Sequence, residues 1–450
     1  MQLSDLSADI IDSILVSLPD FATLSAAILT SKQLHGVFEE RPVSIIRAVA
    51  HNIVGPTLPL ALELARRQDG CLDGLEKEEN PADAPLSYNM ANLLVANAKV
   101  VRELEDIFSW RNKDRTCKTS KLTAPESDRF HRATYRFWLY AKKSREGEKW
   151  DDDGDNDDDD EDDEDDEDKD DGDKDGDDTA RHNLQLLSAY STPELYELKG
   201  VAALLTDLLM RNRAANSSYS LHTSFIDPWL LTQGPAAILT AYRGNRVTPL
   251  EQWLLEQWHY TAHDFFWDTF GKVCAARGIS KEKWTSEDNQ ILDKVVGEND
   301  RCHSCLAIAG MKLWGPPTWE VLYECMTPRD MCNLLEGHLP GNPWETRRII
   351  EALCSGSYDY AEMMGEMMDL ETDSGGVWNK QEWYCMNCVE GLFRTRFKEW
   401  WLAKKLRDGA PALENCWYGY NCRTQQHKQH HAERLNHLCV PTHGDAPDTT

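Results

Sequence analysis

Residues 385–406, CMNCVEGLFRTRFKEWWLAKKL, decide how this chain is built. A C-x-x-C pair opens directly into an amphipathic helix, VEGLFRTRFKEWWLAKKL. Thiolates at a helix N-terminus sit where the helix dipole favours negative charge. A second C-x-x-C, Cys302-His-Ser-Cys305, lies upstream with 79 residues between the two pairs. Two such pairs are the usual way to offer a zinc ion four thiolates in tetrahedral geometry. Cys302, Cys305, Cys385 and Cys388 are therefore expected to form one Zn2+ site. The plainer alternative is four buried cysteines acting as small apolar side chains.

The order of a knuckle followed by a C-x-x-C that opens a helix is that of a treble-clef zinc site. A further ligand-rich stretch follows at 416–439, CWYGYNCRTQQHKQHHAERLNHLC. Tyr418-Gly419 falls between the two cysteines, where glycine lets the backbone turn around an ion. Cys416 and Cys422 are the first two expected ligands and His427 is third by spacing. His431, His437 or Cys439 completes the set. The segment resembles half of a CCCH finger. More loosely it resembles the poly(ADP-ribose)-binding zinc finger, which has C-x-Y-G-x-x-C followed by histidines. Arg423 stands where that family has an aromatic residue. A His-rich tail without a metal is the alternative. One or two Zn2+ ions per chain are expected.

The rest reads as nearly all helix, so the expected fold class is mainly α, with small β knuckles near the cysteines. In LSDLSADIIDSILVSL, Leu6, Ile10, Ile14 and Leu18 recur at a spacing of four, and Ile11 and Leu15 widen the stripe. Pro19-Asp20 stops this helix. FATLSAAILTS and KQLHGVFEE follow, ending at Arg41-Pro42. VSIIRAVAHNIV and LPLALELARRQ form a pair broken at Gly55-Pro56. Longer helices are expected at 86–112 and 125–145, and helical patterns resume at 194–213 and 248–278.

Residues 151–178 contain 22 acids and two lysines within a chain of net charge -29. Mutual repulsion and the absence of apolar residues predict disorder there. Without that run the body is only mildly acidic, and nothing suggests a strongly basic nucleic-acid surface. The opening residues lack a basic n-region, so no secretory signal is expected, and no apolar run is expected to reach the ~18 residues of a membrane span. The 13 cysteines are an odd number, which favours reduced thiols or metal ligands in an intracellular protein, cytoplasmic or nuclear.

The first forty residues carry more apolar side chains than three short helices can bury among themselves, so some must face a partner or the rest of the chain. LSADIIDSILVSLPDFATLSAAILTSKQLHGVF resembles an F-box: an opening Leu, an I-x-x-x-I-L-x-x-L helix, a Pro-acid turn, then an apolar helix ending near Ser31-Lys32. Ser7 stands in place of the family's usual Pro, and Leu34 follows where it has Trp. The resemblance implies docking of a Skp-type adaptor, and through it a cullin ubiquitin ligase, by Leu6, Ile10, Ile11, Ile14, Leu15, Leu18, Leu24 and Ile28. The order of F-box-like start, C-x-x-C with KLWG downstream, NPWETR, WYCMNC and CWYGYNCRTQ is similar to a group of fungal F-box-containing proteins.

Other signals fall short. Asp171-x-Asp173-x-Asp175-Gly176 starts like a calcium loop, but His182 holds the twelfth position instead of Glu. His259 and His263 share a helix face without the Glu of a metalloprotease motif. No P-loop, G-x-S-x-G or G-x-G-x-x-G occurs, and Cys71, Cys117 and Cys274 stand alone.

The expected organisation is an F-box-like unit at 1–42, a helical region at 43–148, an acidic insertion at 149–180 and a continuing helical region at 181–300. A treble-clef-like region at 301–410, a Cys/His knuckle at 411–443 and a tail at 444–450 complete it. The expected function is that of an adaptor without catalytic activity of its own, presenting a protein substrate to the ligase. Two alternatives stand beside it: a zinc-dependent reader of RNA or poly(ADP-ribose), and an interaction protein whose zinc is purely structural. No membrane partner is expected.

Overall fold

The computed structural model describes residues 6–70, 86–114, 120–146, 174–215, 231–243, 265–286, 290–293, 295–354, 358–371 and 378–443. The fold is mainly α, with two short two-stranded sheets among the described residues. The chain divides into two compact units. The first comprises Met1–Ile107, Leu122–Leu209 and Ser224–Asp293; the second comprises Phe108–Lys121, Met210–Thr223 and Lys294–Thr450.

The first unit begins with α1 (Ala8–Val16), α2 (Phe21–Thr30) and α3 (Lys32–Glu40). Local chemistry sets their ends. The Asp20 carboxylate accepts the Thr23 N–H at 2.7 Å, and Ser31 Oγ accepts the Gln33 N–H at 3.2 Å, each at the start of a helix. Pro42 opens α4 (Pro42–Val54) in the first turn, where its missing N–H costs nothing. Gly55, at φ 79°, ends it, and a 3₁₀ turn over Gly55–Thr57 leads into α5 (Leu58–Asp69).

The three opening helices are fastened to α4. Ile11, Leu15, Leu24, Leu34 and Val37 share one buried cluster with Ile45, Val49 and Ile53 of α4. Asn52 Nδ2 donates to the carbonyls of Val16 and Leu18 at 2.8 and 2.9 Å, satisfying acceptors left open at the end of α1. Gln33 Nε2 holds the Leu6 carbonyl at 2.9 Å, and Arg41 pairs with Asp12 at 3.0 Å.

Against the expectation that no apolar run is long enough for a membrane span, the stretch Pro42–Asp69 is long and apolar enough by length and composition alone. Its apolar residues are instead spent on the core: Ile45, Val49, Ile53, Leu58, Leu62 and Leu64 are all buried, and the Gly55–Thr57 turn breaks the rod.

The remaining helices of this unit among the described residues are α6 (Tyr88–Asn112) and α9 (Thr192–Ala215), whose last residues belong to the second unit, α7 (Ala124–Glu146), α8 (Lys174–Ser188), α10 (Pro235–Tyr242), α11 (Trp267–Ala276) and α12 (Lys281–Ser286). Phe137, Tyr140, Phe266 and Phe270 form an aromatic core, with Phe137–Phe266 and Phe266–Phe270 centroids 5.6 and 5.5 Å apart. The expected acidic insertion lies largely outside the described residues. At its C-terminal end the structure differs from expectation: α8 starts at Lys174, inside the run, and packs through buried Asn183 and Leu187. Helix started by acids is compatible with tertiary packing further along. Cys71, Cys117, His259, His263 and the 444–450 tail lie outside the described residues.

The second unit contains α13 (Pro328–Asn333), α14 (Pro343–Leu353), α15 (Tyr360–Asp369), α16 (Met386–Arg407) and α17 (Gln429–Arg434). α13 starts in a capping box between Thr327 and Asp330. Strands β1 (Leu313–Trp314) and β2 (Tyr384–Cys385) pair antiparallel, with Leu313 opposite Cys385. Strands β3 (Glu414–Asn415) and β4 (Leu435–Asn436) pair in parallel, with Glu414 opposite Leu435. α16 is the spine. Val389, Leu392, Phe393, Phe397, Trp400 and Trp401 are buried along it, in a core shared with the methionines of α15 and with Leu438. The 301–410 and 411–443 segments, expected as separate pieces, therefore share one core.

Candidate metal centres

Two groups of ligand side chains converge in the second unit, each with its ligand atoms within 4.8 Å of one another: Cys302, Cys305, Cys385 and Cys388, and Cys416, Cys422, His431 and His437.

The first group is assembled by β2 and the start of α16 on one side and by the 302–308 loop on the other. Pairing of β1 with β2 brings Cys385 against the unit's core, and Cys385 is also the N-cap of α16. The loop closes through Cys302 N–H to the Ala307 carbonyl at 2.9 Å and Leu306 N–H to the Cys302 carbonyl at 2.9 Å. This places Leu306 at φ 62°, a left-handed conformation rare for a residue with a branched side chain.

Cys302 Sγ lies 3.6 Å from Cys388 Sγ, and Cys305 Sγ lies 3.6 Å from Cys385 Sγ. Tetrahedral zinc with ~2.3 Å Zn–S bonds sets adjacent sulfurs about 3.8 Å apart, so the donor set fits. The Cys385 N–H points at Cys302 Sγ at 3.3 Å. Burial pushes the Cys302 thiol up, but N–H groups of Cys305, Cys385 and Ser304 outweigh it and bring the thiol down to about 6. Burial, with neighbouring sulfurs, pushes Cys388 up to about 12. Four clustered sulfurs cannot all ionise without a cation among them, and a bound dication would deprotonate the set.

The second group surrounds a tight turn. The Gly419 N–H donates to the Cys416 carbonyl and the Cys422 N–H to the Gly419 carbonyl, at 2.9 and 3.2 Å. Gly419 sits at φ 42°, and a Cβ there would collide with the Cys439 carbonyl oxygen, so both conformation and space require glycine. His431 Nε2 lies 3.3 Å from Cys422 Sγ and 3.8 Å from Cys416 Sγ, and the His431 and His437 ring centroids are 5.0 Å apart.

His437 supplies the fit test. Both its ring nitrogens are buried without a well-formed hydrogen bond, the Leu435 backbone giving only a weak one, an arrangement with a desolvation cost that a metal bond would remove. Burial, with His431 adding to it, brings His437 down to about 4, so the imidazole is the neutral form that ligates metal. Zinc would here supply structural cross-linking between Cys416–Cys422 and α17 with its following strand.

The structure places His427 and Cys439 outside this group. His427 is exposed, at the end of the 3₁₀ turn Arg423–Gln426, and the chain must run into α17 before an imidazole turns back toward the sulfurs. Cys439 Sγ is engaged with the carbonyls of Asn436 and Cys416 at 3.3 and 3.5 Å.

The turn is docked on the rest of the unit. The His338 N–H donates to the Tyr420 carbonyl at 2.8 Å, and Lys398 Nζ of α16 stands 4.4 Å from the Tyr420 ring centroid. Glu345 of α14 accepts from Trp401 Nε1 at 2.6 Å and from Lys405 Nζ at 2.8 Å. NPWETR is thus the joint between α14, α16 and the C-terminal turn. Its tryptophan and its Asn-Pro start mark a helix in the sequence, but the partners of Asn342 and Glu345 are not adjacent in the chain.

The expected docking residues at the N-terminus divide. Ile11, Leu15 and Leu24 are buried in the unit's own core and offer nothing to a partner. In α1 it is the widening pair, Ile11 and Leu15, that packs in the core shared with α4, while Ile10 and Ile14 of the spacing-four row stay outward. Leu6, Leu18 and Ile28 are half-buried. Ile10 is 48% exposed and Ile14 37%, and Leu29, outside the expected set, is 82% exposed.

No family model matches the chain, and no solved structure matches it significantly. Among curated proteins it is similar to the E3 ubiquitin-protein ligase CHFR of Danio rerio, 25% identical over 151 residues, which cover 31% of this chain. The chain spans 21% of the length of that relative. The expectation of a protein without enzymatic activity is corrected by this similarity, since the relative it aligns with is an enzyme. Nothing in these comparisons places the chain among F-box or fungal families.

Proposed function

We propose that this chain acts in ubiquitin transfer inside the cell, with α1–α3 docking a Skp-type adaptor of a cullin ligase and the second unit receiving the protein to be modified. The carrying observation is the outward apolar set Ile10, Ile14 and Leu29, held by helices whose other faces are fastened to α4. An apolar helical face of this kind suits a partner groove. Similarity to an E3 ubiquitin-protein ligase supports the pathway. Reconstitution with E1, E2, ubiquitin and a Skp–cullin complex tests the reading. Adaptor capture and ubiquitin transfer should both fall at least tenfold in Ile14→Asp. Equal capture by wild type and variant, or transfer that ignores the adaptor complex, would refute the docking role.

A second reading concerns what the second unit recognises. Trp417 and Tyr418, 69% and 51% exposed, stand beside the Cys416–His437 group, with Arg423, Lys428 and Arg434 exposed nearby. Exposed rings and cations suit an anionic polymer such as RNA or poly(ADP-ribose), since stacking contributes about 1–3 kcal/mol per base. Binding should weaken with salt, drop roughly tenfold in Trp417→Ala and vanish in Cys422→Ser. A signal insensitive to salt and to both substitutions would exclude it.

A further inference from the structure

The sequence offers four histidines within the sixteen residues after Cys416–Cys422, yet two of them, His431 and His437, reach the sulfurs. Between Cys422 and His431 lies Gln425, a polar side chain with 0% exposure. Its Oε1 accepts from Asn342 Nδ2 at 3.1 Å, and its Nε2 donates to the Tyr420 carbonyl at 3.1 Å. Asn342 is itself 1% exposed, and its Oδ1 accepts the Trp344 and Glu345 N–H groups at the start of α14. Two buried amides thus satisfy each other and the backbone on either side. A Cβ on Gly341 would strike the Gln426 side chain, so the approach of the two segments is close.

We propose that the Asn342–Gln425 pair is a positioning device for the second metal group, selecting which histidine becomes a ligand. Pinning Gln425 fixes the 3₁₀ turn over Arg423–Gln426 against α14. His427, two residues past the pin, is then thrown outward, and α17 begins in the register that returns His431 to Cys416 and Cys422. Without the pin, His427 is the nearest imidazole in sequence and the loop is free to deliver it. Buried amide pairs of this kind are costly unless every polar atom is matched, which makes them specifying. The inference rests on the metal reading of this group.

The test uses the full chain loaded with Co2+, whose visible spectrum reports ligand type at each site. As a single substitution, His427→Ala should leave spectrum and affinity unchanged, and His431→Ala should abolish the Cys/His signal. Gln425→Ala should lower Co2+ affinity at this group by about 10–100-fold, the range seen when groups supporting a ligand are removed. In that background, His427→Ala should lower it further. Asn342→Ser retains a helix cap but removes the amide donor, and should weaken the site in the same way. The all-sulfur signal from Cys302, Cys305, Cys385 and Cys388 reports that each variant is folded. Wild-type affinity in Gln425→Ala and Asn342→Ser, or insensitivity of Gln425→Ala to His427→Ala, would overturn the proposal. Absence of any Cys/His cobalt signal in the wild type would instead remove the metal reading, and the proposal with it.

Discussion

At single positions, the choice of ligand turns on where backbone turns aim a side chain. His427 is nearer Cys422 in sequence than His431, but it ends a 3₁₀ turn facing water. His427→Ala should therefore keep two zinc ions per chain and His431→Ala should keep one, counted by mass spectrometry of the metals. Cys302, Cys305, Cys385 and Cys388 were legible because C-x-x-C at a helix start is a local pattern. His431 and His437 were readable only as two of seven donors in one short stretch, and three-dimensional register is what sets them beside Cys416 and Cys422.

His437 makes a second prediction at this scale. In the metal-free chain its folded-state value is about 4, below the ordinary 6.5, because burial disfavours the charged ring. The unfolded chain then binds the extra proton first, so stability is full above 6.5 and is lost as pH falls toward 4. Melting temperature measured at pH 7, 6 and 5 with a chelator present should fall across this window. The slope should flatten in His437→Gln.

Leu306 carries a cost in the other direction. A left-handed φ costs a non-glycine residue roughly 1–2 kcal/mol, and glycine offsets part of this through its freedom in the unfolded chain. Leu306→Gly should therefore raise the midpoint of thermal unfolding slightly, with metal content unchanged. A fall of several degrees would mean that its exposed side chain stabilises the fold.

Among elements, helix existence was largely readable from apolar periodicity and from Pro, Asp and Ser at the ends of α1–α4. What periodicity does not assign is which side of a wide stripe faces inward. Ile11, Leu15 and Leu24 are buried in a core that also takes in α4, an element outside the triplet. The same limit hid the joint at NPWETR: Asn342 reads as a cap, but its second role needs Gln425, far along the chain. Asn52 illustrates how an element can be fastened from outside. Its amide closes two carbonyls at the end of α1, each bond contributing about 1 kcal/mol. Asn52→Ala should cost about 1–2 kcal/mol in chemical denaturation, with the loss concentrated in amide exchange of α1.

For the whole molecule, the two Cys/His groups and helices α1–α3 belong to different units. Removing zinc should therefore act locally. Hydrogen exchange with and without a strong chelator should show protection lost across 302–439 and retained across 8–69, since structural zinc contributes to folding of the unit that holds it. Equal loss in both segments would mean that the units unfold together. The unit boundary between Ile107 and Phe108 had no sequence signal, because α6 runs across it and a helix gives no mark where its partners change.

That boundary has a consequence for how the protein is made. The Arg111 guanidinium pairs with Glu324, and the Lys113 carbonyl accepts the Val296 N–H, so the second unit cannot close until its late residues leave the ribosome. At ~5–20 residues per second, the segment ending at Lys121 waits about 9–35 s for residue 294 to be synthesised. Phe108, buried in the finished protein, belongs to that waiting segment. Newborn chains should accordingly depend on chaperones that cover apolar segments during translation, more so when zinc is scarce and closure is slower.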